Sequence, residues 1–81
     1  MNTCGIVFMT AASRDEAEAI ARALVERRLA ACVQIITEIQ SLYWWEGNIC
    51  NDREILLLAK TTDRLFPKLV EAVKTLHSYQ V

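Results

Sequence analysis

The stretch SLYWWEGNICND, Ser41 to Asp52, decides the fold. It sets both tryptophans of the chain, Trp44 and Trp45, and one of its two tyrosines, Tyr43, directly before Glu46-Gly47-Asn48. Glycine takes positive φ without steric cost, so EGN reads as a tight turn. Upstream, ACVQIITEIQSLYWW alternates: Val33, Ile35, Thr37, Ile39, Ser41 and Tyr43 share one face, and Cys32, Gln34, Ile36, Glu38, Gln40 and Leu42 share the other. Downstream, REILLLAKT is apolar on both faces from Ile55 to Ala59 and reads as another strand. The two strands make a hairpin of unusual reach. Alternation places Tyr43 and Trp45 on one side and Trp44 on the other. A flat stacking platform from both tryptophans would therefore need a bulge between them. One side suits core packing and the other suits solvent or a partner. Trp and Tyr are favoured at interface centres, so a subunit contact is the preferred reading over a core or ligand-platform role.

The flanking segments supply the rest of a domain. TCGIVFMT (Thr3–Thr10) is a nearly continuous apolar run and reads as a strand covered on both sides. SRDEAEAIARALVERRL follows, with Ser13 and Glu16 as a capping box and acids in the first turn. Ala17, Ile20, Ala21 and Leu24 form its stripe, widened by Val25, and the spacing predicts a helix from Ser13 to Leu29. TDRLFPKLVEAVKTLHSY predicts a second helix, capped by Thr62 or Asp63, with Pro67 tolerated in the first turn. Leu65, Phe66, Leu69, Val70, Val73 and Leu76 line its apolar face.

The order strand–helix–strand–strand–helix suits an α+β, ferredoxin-like split β-α-β sandwich. The third strand then lies between the first two, antiparallel to both, with both helices on one face. Such a fold normally closes with a fourth strand beside the first, and that strand is missing before Val81. The first strand thus reads as central by sequence but lacks a neighbour on its outer edge, which is an aggregation hazard unless something covers it.

Composition narrows the function classes. Eighty-one residues make a single domain, 1–81. With 53% hydrophobic and 23% charged residues the chain is not of the disordered class. So apolar a balance in so small a chain points to oligomerisation. A net charge of −1 carries no basic footprint, so no nucleic-acid partner is expected. The N-terminal apolar run is too short to span a membrane and has no preceding Lys or Arg, so neither a membrane segment nor a signal peptide is expected. Three cysteines without a Cys-x-x-Cys pair suit a reducing, cytoplasmic location.

ERRLAACV at the helix-to-strand joint, SLYWWEGNI with EILLLAKTT through the hairpin, and LHSYQV at the end resemble the CutA family of divalent-cation tolerance proteins. The resemblance covers residues 5–81. It implies a ferredoxin-like subunit of a homotrimer, similar in architecture to PII signalling proteins, non-enzymatic, and tied to copper and other divalent ions. It also implies that this chain lacks a C-terminal strand and helix. The chain reads His77-Ser78-Tyr79 where the family usually reads His-Pro-Tyr. Met9 stands where some members carry a Cys, and Leu76 where some carry a second His.

Copper suits Cys and Met sulfur, and imidazole suits copper or zinc. The candidate ligands are Met9, Cys32, Cys50 and His77, with no spacing that forces them together. No obligatory cofactor is expected, and copper or another divalent cation is the candidate ligand. A catalytic role has no support: no nucleophile motif surrounds a cysteine, and Asp15, Glu16 and Glu18 belong to a helix start. Gly5 and Gly47 stand alone, so no phosphate loop exists and PII-like nucleotide binding is not expected. The alternatives to a metal-tolerance trimer are an oligomeric scaffold and a PII-like module responsive to a small molecule.

Overall fold

Five elements follow in the expected order: β1 (Cys4–Ala11), α1 (Arg14–Glu26), β2 (Cys32–Trp45), β3 (Asn48–Thr62) and α2 (Phe66–Leu76). The computed structural model describes residues 3–76. The strand order is β1-β3-β2, with β3 antiparallel to both neighbours. This is the split β-α-β arrangement, an α+β fold of the ferredoxin-like class.

Local chemistry sets the helix ends. Ser13 is the N-cap of α1, and its Oγ accepts from the Glu16 N–H at 3.2 Å. Glu16 reaches back, but to the N–H of Ala12 at 3.2 Å. The helix stops at Glu26, three residues before the expected end. Arg28 takes φ 57°, the left-handed conformation usually given to glycine. The Arg28 N–H donates to Val25 O at 3.0 Å and the Leu29 N–H to Leu24 O at 2.9 Å, which is a Schellman stop. Thr62, rather than Asp63, holds the turn before α2, its Oγ1 accepting from the Leu65 N–H at 3.4 Å. Asp63 instead clasps the start of β1. Its N–H donates to Thr3 O at 2.8 Å, and its carboxylate accepts from the Thr3 N–H at 3.3 Å.

The core lies between the helices and one face of the sheet. Met9 pairs across the ladder with Leu57, and Val7 and Val33 both flank Ala59. Cross-strand partners share a face, so these side chains point together. Met9, Ala11, Leu57 and Ala59 meet Ala17, Ile20, Ala21 and Leu24 of α1 and Leu69 and Val73 of α2. Both helices therefore cover the same face. Val25 does not join the stripe and is 44% exposed. β1 is not covered on both sides: Ile6 and Phe8, on the face away from the helices, are 55% and 68% exposed. No strand lies beside its outer edge among the described residues. An apolar groove of about 260 Å³, lined by Val7, Phe8, Met9, Phe66, Leu69 and Val70, among others, lies between β1 and α2.

A β-bulge corrects the expected alternation in β2. Ile36 pairs with Leu56 and Ile39 with Glu54, so Thr37 and Glu38 together oppose Ile55. Glu38 takes φ 72° to make this possible. Every later side chain of β2 changes face. Ile39, Ser41, Tyr43 and Trp45 thus lie on the side opposite to Val33 and Ile35. Because the bulge precedes the tryptophans rather than separating them, Trp44 and Trp45 remain on opposite faces.

The hairpin turn is tighter than EGN suggests. Trp45 pairs with Asn48, leaving Glu46 (φ 49°) and Gly47 (φ 79°) as a two-residue turn of the type that matches strand twist. Glycine suits its position, but glutamate bears a left-handed penalty of about 1 kcal/mol. Replacing Glu46 by Asn, which tolerates this conformation, should stabilise the chain by about 0.5–1 kcal/mol in urea unfolding at fixed protein concentration. Leu57→Ala, in the middle of the central strand with its side chain fully buried, should cost about 2–5 kcal/mol in the same measurement.

Candidate functional site

Beyond the bulge, β2 and β3 continue without helices behind them as a two-stranded arm. The molecule is accordingly elongated, 45 × 25 × 20 Å. Neither face of this arm is core. On the side facing the helices' direction, Leu42, Trp44 and Ile49 are 66%, 72% and 64% exposed, with Trp44 directly opposite Ile49. On the other side lie Tyr43, opposite Cys50, and Trp45, opposite Asn48. The expectation that one side would pack into the core fails because the helices end before reaching it.

Polar side chains stitch the arm together. Gln40 Nε2 donates to Asn51 Oδ1 at 3.0 Å, and Ser41 Oγ donates to Glu54 Oε2 at 3.1 Å. Arg53 pairs with Glu38 of the bulge at 3.1 Å, an exposed ion pair of small energetic value. The Tyr43 hydroxyl donates to the Asp52 carboxylate. That hydrogen bond, aided by desolvation and by the nearby carboxylate charge, pushes the Tyr43 phenol from 10.0 up to about 12.

The arm continues into the open face of the sheet. Ile6 and Phe8 of β1 pair with Lys60 and Leu58, and Leu56 pairs with Ile36 of β2. Ile6, Phe8, Leu56, Leu58 and Ile36 give this face an apolar surface bordered by Lys60, with Ile36 44% exposed. The reading of β1 as doubly covered contained the signal for this surface, since an apolar run in a strand has apolar residues on both faces.

The candidate metal ligands do not converge. Met9 is 5% exposed and faces the helices. Cys32 pairs with Lys60, lies on the open face and is half-buried. Cys50 lies in the arm. Met9 and Cys32 therefore sit on opposite sides of the sheet and form no common site within one chain. His77 lies outside the described residues. Among the described residues, no three His, Cys, Asp or Glu side chains group as a metal site.

The described residues define a small α+β domain with one sheet face left uncovered by its helices and a projecting hairpin arm. The chain belongs to the CutA1 divalent ion tolerance protein family, whose family model matches residues 5–81. It is 53% identical over 76 residues to the divalent-cation tolerance protein CutA of Thermus thermophilus, covering 94% of this chain and 74% of that one. It is 47% identical over 74 residues to mouse Protein CutA, covering 91% of this chain but only 42% of the mouse protein. The solved structure of the divalent cation tolerance protein from Thermus thermophilus superposes with a TM-score of 0.90 at 51% identity, covering 98% of this chain and 77% of that one.

The Tyr43–Asp52 bond makes a pH-dependent contribution. The folded phenol titrates above its unfolded value, so the stabilisation is fully present below pH 10 and is lost as pH rises through about 12. Following tyrosinate absorbance, Asp52→Asn should move the Tyr43 titration back towards 10. An unchanged titration would show that the carboxylate is not its cause.

Proposed function

We propose that the chain is a subunit of a self-assembling, non-catalytic divalent-cation tolerance protein, and that the assembly is a homotrimer. The open face of the sheet carries this reading. Ile6 and Phe8 of β1 stand more than half exposed on the same face as the exposed Ile36 of β2, and exposed apolar side chains gathered on one face mark an interaction site. The arm adds to it. An isolated two-stranded hairpin is marginal in water, and this one holds Leu42, Trp44 and Ile49 on one face and Tyr43 and Trp45 on the other. Phe, Tyr and Trp each bury about 150–250 Å² when covered, at about 25 cal/mol per Å². Covering these side chains would give association enough favourable free energy to offset its entropy cost. Tyr43, Trp44 and Trp45 are then subunit contacts, on two different neighbours' surfaces.

The name of the family supports a role with divalent cations. In the assembly, Cys32 on the open face is the candidate ligand that would meet a second chain, and copper is the cation best matched to its sulfur. Met9, beneath the helices, is not available to such a site. A cytoplasmic location suits the three free cysteines.

Light scattering should give about three times the chain mass of 9.2 kDa. Phe8→Asp places a charge on the open face and should dissociate the assembly while leaving the core untouched. A stable, soluble monomer of the unaltered chain would overturn the reading. Calorimetric titration with Cu²⁺ tests the metal part separately: saturable stoichiometric binding weakened by Cys32→Ala is expected, and a titration without saturable heat would exclude it.

A further inference from the structure

One cavity lies apart from the arm and from most of the open face. It is a cleft of about 440 Å³ at the end of the sheet, lined by Cys4, Val25, Arg28, Lys60, Thr62 and Leu65, among others. We propose that this cleft binds a small organic oxyanion, a carboxylate or a phosphate monoester, with Arg28 and Lys60 as its counter-charges. Its size falls within the range of about 300–1,000 Å³ typical of small-molecule sites.

The charge balance supports an anion. Two cations line the cleft and no acidic side chain does. The ion pairs among the described residues involve Arg14, Arg22 and Arg53, so neither Arg28 nor Lys60 has a carboxylate partner there. Arg28 offers a planar fork for an oxyanion, and Lys60 a point charge. Thr62 Oγ1 accepts from the Leu65 N–H, which leaves its hydroxyl hydrogen free to donate. Val25, Ala30, Ala31 and Leu65 supply an apolar wall, so the preferred ligand has a short apolar body as well as a charged end. That wall also explains the exposed Val25, which the helix stripe alone does not use.

The opposing effect is the carbonyl end of α1, whose dipole disfavours an anion. Here the last carbonyls are already engaged. Leu24 O accepts from the Leu29 and Ala30 N–H groups at 2.9 and 3.2 Å, and Val25 O from Arg28 at 3.0 Å. Leu29 O accepts from Thr61 Oγ1 at 2.6 Å. The walls are also fixed before binding. The Ala31 N–H donates to Lys60 O at 2.8 Å, and Asp63 clasps Thr3 on the far side. The left-handed turn at Arg28 belongs to this same construction and directs a cation where a glycine would supply none.

The test titrates the whole chain calorimetrically with phenyl phosphate, benzoate, inorganic phosphate and benzyl alcohol. Phenyl phosphate and benzoate should each saturate at one per chain, inorganic phosphate more weakly than phenyl phosphate, and benzyl alcohol not at all. Whichever of the two organic anions binds more tightly identifies the charged group. Arg28→Asn keeps a residue that tolerates the left-handed turn, and Lys60→Met keeps the stem. Each should weaken binding about tenfold or more. Were a variant to misfold, the unaltered chain would still decide: phenyl phosphate should slow alkylation of Cys4 and leave Cys50 unaffected. Absence of saturable binding by both organic anions up to about 10 mM, binding untouched by both substitutions, or an unchanged Cys4 rate would each overturn the proposal. The cleft is lined by one chain but shares Lys60 with the open face, so a monomer that binds phenyl phosphate would separate the two readings.

Discussion

Two helices on one face leave the other face of the three-stranded sheet uncovered among the described residues, and most of the surface chemistry follows from that constraint. The central strand β3 is apolar on both sides along Leu56, Leu57 and Leu58. Leu57 is buried under α1 and α2, while Leu56 and Leu58 are only half-buried on the opposite side. A strand with such a sequence is built to be covered twice. The described residues cover it once, and its other side is the contact surface on which the proposed assembly depends.

The bulge at Thr37–Glu38 links that surface to the arm. Without the extra residue, Ile39, Tyr43 and Trp45 would fall on the helix side. With it, they join the face that carries Ile36 and Phe8. Apolar side chains thus continue from the open sheet into the hairpin on one face, broken by the polar group of Ser41, Asp52 and Glu54. The arm also keeps Leu42, Trp44 and Ile49 on its reverse, so it can be gripped from two sides. Its polar stitching fixes the register of the hairpin but adds little net stability, because all of these pairs but the half-buried Ser41–Glu54 are exposed. The large favourable term available to the arm is burial of its apolar side chains by another surface.

Much of the architecture was legible in the chain itself. The capping box at Ser13 and Glu16 placed the start of α1, Gly47 placed the hairpin turn, and the order of apolar segments gave the split β-α-β topology. Three backbone features were not legible. Glu38, Glu46 and Arg28 all take positive φ, and none is a residue that advertises it. Their conformations are imposed by strand twist and by packing of Leu24 and Leu29, which long-range contacts decide. The site reading shared this limit. Met9 and Cys32 are both soft donors, but sequence separation does not say on which side of a sheet each one lands.

The sequence by itself determined the elements, their order, the length of the hairpin and the membership of residues 5–81 in a divalent-ion tolerance family. These rest on period-2 and period-3.6 patterns and on capping and turn chemistry, all of which act over a few residues. Tertiary structure alone decided which face each side chain occupies, that large apolar side chains stand exposed on both faces of the arm, and that Arg28 and Lys60 line one cleft. Those outcomes depend on a one-residue slip in register and on a helix ending three residues early. Both are settled by contacts between segments distant in the chain, where a local pattern carries no information.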